Sequence, residues 1–330
     1  MIVSLFKTRQ PGYYVFLSLL SIVVYISVVR SAMLVTSENG MLLYRLITAY
    51  ADTYGNLYFI AGLILFVLQG IQIHLLVNQF EVLYKSSYLP WLMYMVLMGS
   101  VPGLLMFSPA LLSNTLLLLM LDRIFRIYKS EYAQGYHFEA AAMLSLAVCI
   151  YLPTLSFILL LIASILILHP FDWRNWVSAI LGFMTPLYML AFILFLTDRT
   201  ALMIPENFLS GYQITFKIKS ALPPSYTVTA VIVFIISVIS ILTLRENFYK
   251  NTSRTRSYQQ VVIIYFFITL LIPFFTPGIP LFKFALPAIP LSILIGYYLL
   301  AVRKNWVADT ALILLVALAL FNHLKLTFSL

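Results

Sequence analysis

Residues 108–129 read SPALLSNTLLLLMLDRIFRIYK. The segment opens on a Ser-Pro break, runs through an almost unbroken apolar stretch with one amide, Asn114, and closes on Asp122, Arg123, Arg126 and Lys129. An apolar helix with a basic end places that end on the cytoplasmic side of a membrane. The orientation of every other segment is counted outward from it.

The composition agrees with a membrane setting. Of 330 residues, 62% are hydrophobic and 9% charged, whereas roughly a quarter of residues are charged in soluble domains. No polar stretch is long enough to build a separate soluble domain, so residues 1–330 are expected to form a single transmembrane domain. The formal charge of +9 sits in short loops between apolar runs, where basic residues act as topology signals rather than as a nucleic-acid surface. The single cysteine, Cys149, lies inside an apolar run and excludes a disulfide within the chain. Lys7 and Arg9 precede the run from Tyr13 to Val29, which no small-residue cleavage site follows, so it reads as a retained first span.

Crossing a hydrocarbon core takes about 20 residues, or roughly 17 when the span is short. Runs of that kind lie near 13–29, 57–77, 90–107, 109–125, 140–152, 153–169, 177–197, 225–244, 260–276, 284–302 and 307–328. The expected fold is therefore all-α, a polytopic transmembrane helical bundle of about 11 spans. Residues 140–169 form one apolar stretch with Leu152-Pro153 near its middle. It is too long for one straight span, and the residue before proline disfavours helix, so two short helices are expected there. With the N-terminus cytoplasmic, 13 of the 20 Lys and Arg residues fall on the inner side and seven on the outer side.

Two loops on the outer side are long. In residues 41–56 the polar positions Arg45, Thr48, Asp52 and Asn56 are spaced three, four and four apart among apolar neighbours, which predicts an interfacial helix in the first extracytoplasmic loop. The second loop spans 198–226, with a weak alternation around Ile214, Phe216 and Ile218. Gly99 and Gly103 have GxxxG spacing, which permits close helix packing.

Chemistry is not written in a decisive motif. The four histidines show no i, i+3 or i, i+4 pair that would predict a metal site, and no metal or cofactor is expected. No Walker loop, GxSxG or dinucleotide turn is present. What remains is a set of ionisable residues on the outer side: Glu38, Asp52, Asp198 and Glu206 with Arg45, Arg199, Lys217, Lys219 and Lys283. A carboxylate there could act as a general base and the cations could hold a phosphate. The plainer account of each is a solvated loop charge.

The segments RQPGYY before the first span, SPALLSNTLLLLMLDRIFRIY, the 140–169 hairpin and HPFDWRNW together resemble an uncharacterised family of polytopic inner-membrane proteins from Bacteroidota. That resemblance implies the inner membrane of a Gram-negative cell. A more distant one is to GT-C glycosyltransferases, which use polyprenyl-phosphate sugars. It implies an N-terminal module of about seven spans over residues 1–197, an outer loop at 198–226 and C-terminal spans over 227–330. By that likeness Asp52 or Glu38 would be the catalytic base, and Lys283, Arg199 or Arg45 would bind the lipid phosphate at the periplasmic face. The first loop lacks the adjacent acidic pair of that class. Two other functions stay open: a non-enzymatic subunit or scaffold of a cell-envelope complex with a membrane-protein partner, and a transporter. The latter would require an internal repeat or a pair of broken helices.

Overall fold

In the computed structural model the decisive stretch is a helix, α5 (Pro109–Arg126). The Ser108 hydroxyl accepts from the Leu111 backbone N–H at 3.2 Å, and Pro109 fills the first turn, where its missing N–H costs nothing. At the other end Arg126 pairs with Asp122 at 2.8 Å, one turn back.

The structure describes residues 3, 6, 12–29, 40–48, 55–168, 172–197, 224–275, 281–302 and 305–328. Within them the architecture is all helical. Before α5 come α1 (Gly12–Val29), α2 (Leu42–Thr48), α3 (Gly55–Gln79) and α4 (Leu89–Gly99). After it come α6 (Ala133–Ile150), α7 (Ile158–Leu168), α8 (Trp173–Leu196), α9 (Pro224–Glu246), α10 (Ser253–Phe275), α11 (Ala288–Ala301) and α12 (Asn305–Phe328). Each apolar run expected from the sequence contains one of these helices.

Five of the described helices are long and apolar enough to cross a membrane: Asn56–Gln79, Trp173–Leu196, Ser225–Glu246, Ser253–Ile272 and Trp306–His323. The difference from about 11 expected spans has physical causes. Helices α4 and α7 have 11 residues each and α11 has 14, so at 1.5 Å per residue none of them alone covers a hydrocarbon core. Helix α5 spends its last turns on Asp122, Arg123 and Arg126. The breaks fall at prolines. The chain leaves α6 at an extended Tyr151 and enters a 3-10 turn, Leu152–Phe157, with Pro153 near its start, before α7 begins. This is the interruption that Leu152-Pro153 predicts. Likewise α4 stops at Gly99 and Pro102–Leu104 forms a separate 3-10 turn, so Gly99 and Gly103 do not share one helix.

Helix termini sort to two ends of the bundle. At the first end, the Tyr258 hydroxyl donates to Phe125 O at 2.8 Å, Gln259 Nε2 to Val82 O at 3.0 Å, and the Tyr84 hydroxyl to Leu300 O at 2.6 Å. Lys85, Arg123, Arg126, Lys129, Lys250, Arg254 and Arg256 all belong here, and we call it the basic end. The N-terminus is tied to it through Val3 N–H donating to Asp309 Oδ1 at 2.8 Å. At the opposite end, Met41 N–H donates to Ile150 O at 3.0 Å and the Tyr44 hydroxyl to Phe107 O at 3.2 Å. These bonds dock α2 on the start of α5 and the end of α6.

Helix α2 is shorter than the predicted interfacial helix, and residues 49–54 lie outside the described set. Its faces also differ from the predicted stripe. Thr48 and Tyr44 are buried, while Arg45, Leu46 and Ile47 are exposed. Thr48 can turn inward because its hydroxyl donates to Tyr44 O at 2.9 Å and carries no unmet polarity into the packing.

Close approach is set by small side chains. On α8 the buried residues Asn175, Ala179 and Gly182 recur at four and three residues and face α6, whose own face is rich in alanine. A Cβ at Gly182 would overlap the Phe138 backbone carbonyl. Asp172 starts α8 by accepting from Arg174 N–H at 3.0 Å, and the Ser178 hydroxyl donates to Gln134 O at 2.6 Å. Gly182→Val is expected to force α8 off α6 and cost about 1–3 kcal/mol. The readout is a lower melting temperature of the protein in lipid nanodiscs. Gly135→Ala, where nothing lies within 4 Å of the added carbon, should leave that temperature unchanged or raise it.

Candidate functional site

The bundle holds a polar cluster in its apolar interior. Gln69 on α3 is fully buried; its Nε2 donates to Leu111 O at 2.6 Å and to Thr115 Oγ1 at 2.8 Å, both on α5. The Tyr94 hydroxyl on α4 donates to Gln69 Oε1. Asn114, the amide that interrupts the apolar run, is also fully buried and donates from Nδ2 to Ala285 O at 2.9 Å. It thereby suspends the 3-10 turn Leu281–Ala285 from the core of α5. Each bond replaces water that these groups cannot reach, so the cluster fixes which helices are neighbours.

From that turn a groove of about 390 Å³ opens between α4, α9, α10 and α11. Leu97, Val101, Phe234, Phe266, Phe284 and Leu291 form much of its wall. Its hydroxyls are largely spent on their own helices: Ser100 donates to Leu97 O at 2.6 Å, Ser237 to Phe234 O at 2.7 Å, and Thr229 to Ser225 O at 2.9 Å. What the groove offers a ligand is therefore mainly methyl, methylene and aromatic surface. Its volume lies within the range of roughly 300–1,000 Å³ typical of small-molecule sites.

The end of α12 packs behind two groove-lining residues, Ser100 and Thr229. Asn322 Nδ2 donates to Ser100 O at 3.0 Å and to Thr229 Oγ1 at 2.9 Å, and His323 Nε2 lies 2.7 Å from Gly99 O. A carbonyl oxygen only accepts, so the Asn322 amide must turn its NH₂ toward Ser100 and His323 must carry its proton on Nε2. Asn322 Oδ1 is left buried with no hydrogen-bond partner among the described residues. This acceptor lies behind the groove wall, in the packing of α12 against Ser100 and Thr229.

The residues expected to carry chemistry stand as follows. Glu38, Asp52 and Arg199 lie outside the described residues, as do Asp198, Glu206, Lys217 and Lys219. Lys283 lies in the Leu281–Ala285 turn, one residue before the groove-lining Phe284; its side chain is outside the described set. Arg45 is exposed on α2, with Nε donating to Gly40 O at 3.0 Å, at the same end of the bundle as the groove. Sequence reasoning missed Asn322, His323 and Gln69. They sit in apolar runs, and their partners lie up to 224 residues away, so no local spacing announces them.

A family model matches residues 16–329. The chain belongs to the DUF6427 family, a family of unknown function. No curated protein and no solved structure matches it.

The interior cluster makes a direct prediction about stability. Gln69→Leu strips the Tyr94 and Thr115 hydroxyls of their partner and is expected to cost about 1–3 kcal/mol. Adding Tyr94→Phe removes one orphan, so the double variant should lose less than the sum of the two single changes. Melting temperatures of the four proteins in one lipid composition check this.

Proposed function

We propose that this DUF6427 protein is a multi-pass protein of a Gram-negative inner membrane, with its basic end cytoplasmic, that holds a membrane lipid in the groove at the periplasmic end. The observation that carries the reading is the groove itself. It is apolar, it lies between helices, and it sits at the end of the bundle opposite the lysine and arginine cluster. Basic residues mark the cytoplasmic side, so the groove falls on the other side.

Within that reading the best specific activity is a GT-C-like glycosyltransferase using a polyprenyl-phosphate-linked sugar. The turn carrying Lys283 borders the groove at Phe284, and α9, which follows the 198–223 segment, lines it from Tyr226 onward. An isoprenoid chain in the groove would bring its phosphate to this border, where Lys283 and Arg199 are the candidate cations. Asp52 or Glu38 would deprotonate the acceptor hydroxyl while the cations stabilise the leaving phosphate. Arg45 on the docked α2 is the third candidate cation.

Ala230 lines the groove, and Ala230→Trp should fill it. Native mass spectrometry of the protein with added polyprenyl phosphate is expected to show at least tenfold weaker retention of the lipid in this variant. Asp52→Asn and Glu38→Gln should retain the lipid, and at least one should fail to complement a deletion strain. If both complement fully, the transferase reading is lost. A scaffold of a cell-envelope complex then becomes the better account, and a stable co-purifying membrane partner is its signature.

A further inference from the structure

A second cavity lies at the basic end, separate from the groove. It has a volume of about 430 Å³ and is built where the α3–α4 connection meets the α9–α10 connection. Its walls include Asn78 from the last turn of α3, Glu81 and Lys85 from the first connection, and Lys250, Asn251 and Thr252 from the second. The geometry points to this cavity as a binding site for a phosphate ester that also carries a hydroxyl or amino group.

Three observations support that chemistry. First, the two connections are pinned to each other. The Thr255 hydroxyl donates to Glu81 O at 3.1 Å and Gln259 Nε2 to Val82 O at 3.0 Å, so residues of α10 hold the α3–α4 connection in place. Asn78 closes that connection by accepting from Ser87 N–H at 3.1 Å. Second, the loop is held in a conformation that L-residues seldom adopt: Glu81 has φ 51°. Such a backbone persists only where its surroundings over-determine it, and such positions gather at ligand clamps and switches. Third, the charges come from both walls. Lys85 and Lys250 are exposed ammonium groups on different connections, and Lys250 Nζ is steadied by Asn247 Oδ1 at 2.9 Å. Two cations suit a phosphoryl group, and Glu81 adds an acceptor for a donor on the same molecule.

The volume exceeds what a bare phosphate needs and suits a small ester. A phosphoethanolamine or phosphoglycerol group meets every feature. It could arrive as the headgroup of a phospholipid or as a free phosphate ester, and the test separates the two.

The full chain in phosphatidylcholine nanodiscs is titrated with O-phosphoethanolamine, with sn-glycerol 3-phosphate and with inorganic phosphate by calorimetry. In parallel, native mass spectrometry scores retention of phosphatidylethanolamine and phosphatidylglycerol. At least one of the four esters is expected to bind, with Lys85→Gln and Lys250→Gln each weakening it at least tenfold and Lys85→Arg retaining it. Glu81→Gln should weaken that ester while leaving inorganic phosphate unchanged. Binding of the soluble esters marks a free ligand; binding of the lipids alone marks a headgroup. Arg245 lies outside the cavity, so Arg245→Gln is the control for diffuse surface attraction. The proposal is overturned if no ester binds, if the two lysine variants bind normally, or if Arg245→Gln weakens binding as much as they do. Unchanged melting temperatures of the glutamine variants separate lost binding from lost folding.

Discussion

Helix α5 is tied to its neighbours through a few buried polar groups, and the arrangement around it follows from those ties. Near its start, Asn114 is bonded to Ala285 across 171 residues of chain, and Leu111 and Thr115 take the Gln69 amide of α3. Near its end, Phe125 O takes the Tyr258 hydroxyl of α10, with Phe80 packed edge-on against both Phe125 and Tyr258. Between these ties the helix shows mainly leucine to its surroundings. Leucine packs equally well against many partners, and lipid tails are as apolar as leucine, so apolar contact alone does not choose neighbours inside a membrane. The amides and hydroxyls make the choice, because an unpaired one in such a medium costs more than any single apolar contact returns.

This division explains how much of the molecule can be read from one sequence. Helix positions were legible because each needs only a local apolar run, and the Leu152-Pro153 break because proline acts on its immediate neighbours. The Asp122–Arg126 pair was legible for the same reason, being one helical turn apart. The GxxxG spacing was legible in part: α4 ends at Gly99, which lies close against Val24 of α1, but Gly103 belongs to a separate turn that begins at Pro102. What could not be read was partnership. Asn322 meets Ser100 and Thr229, and Gln69 meets Tyr94, only after the whole bundle has closed. The groove and the basic cavity are each lined by residues from distant segments, and no spacing within any one of them marks a wall.

The two cavities differ in what they can recognise. At the basic end the wall groups are ammonium, carboxylate and amide on short connections between helices, where charge selects the ligand and salt screens it. At the opposite end the wall is hydrocarbon. The same chain therefore presents a cavity walled by charged groups and a groove walled mainly by hydrocarbon at opposite ends of one helical bundle. Helices α4 and α10 help to tie the two together. Helix α10 has Gln259 and Thr255 holding the basic cavity and Phe266 and Leu270 lining the groove.

A groove of this kind has a particular thermodynamic character. In water, burying apolar surface returns about 25 cal/mol per Å²; a chain that moves from bilayer into an apolar groove leaves one hydrocarbon medium for another and gains almost none of it. The groove can sort chains by fit to the aromatic walls of Phe234, Phe266 and Phe284, but it cannot by itself hold one tightly. Affinity has to come from the polar end of the ligand. Among the described residues, the border where the turn bearing Lys283 meets the groove at Phe284 lies nearest to such an end. On the lipid-binding reading proposed above, a lipid whose polar end finds no partner at that border would not be retained. On that reading, discrimination between lipids would rest on the few polar groups at the border of the groove rather than on the much larger apolar surface within.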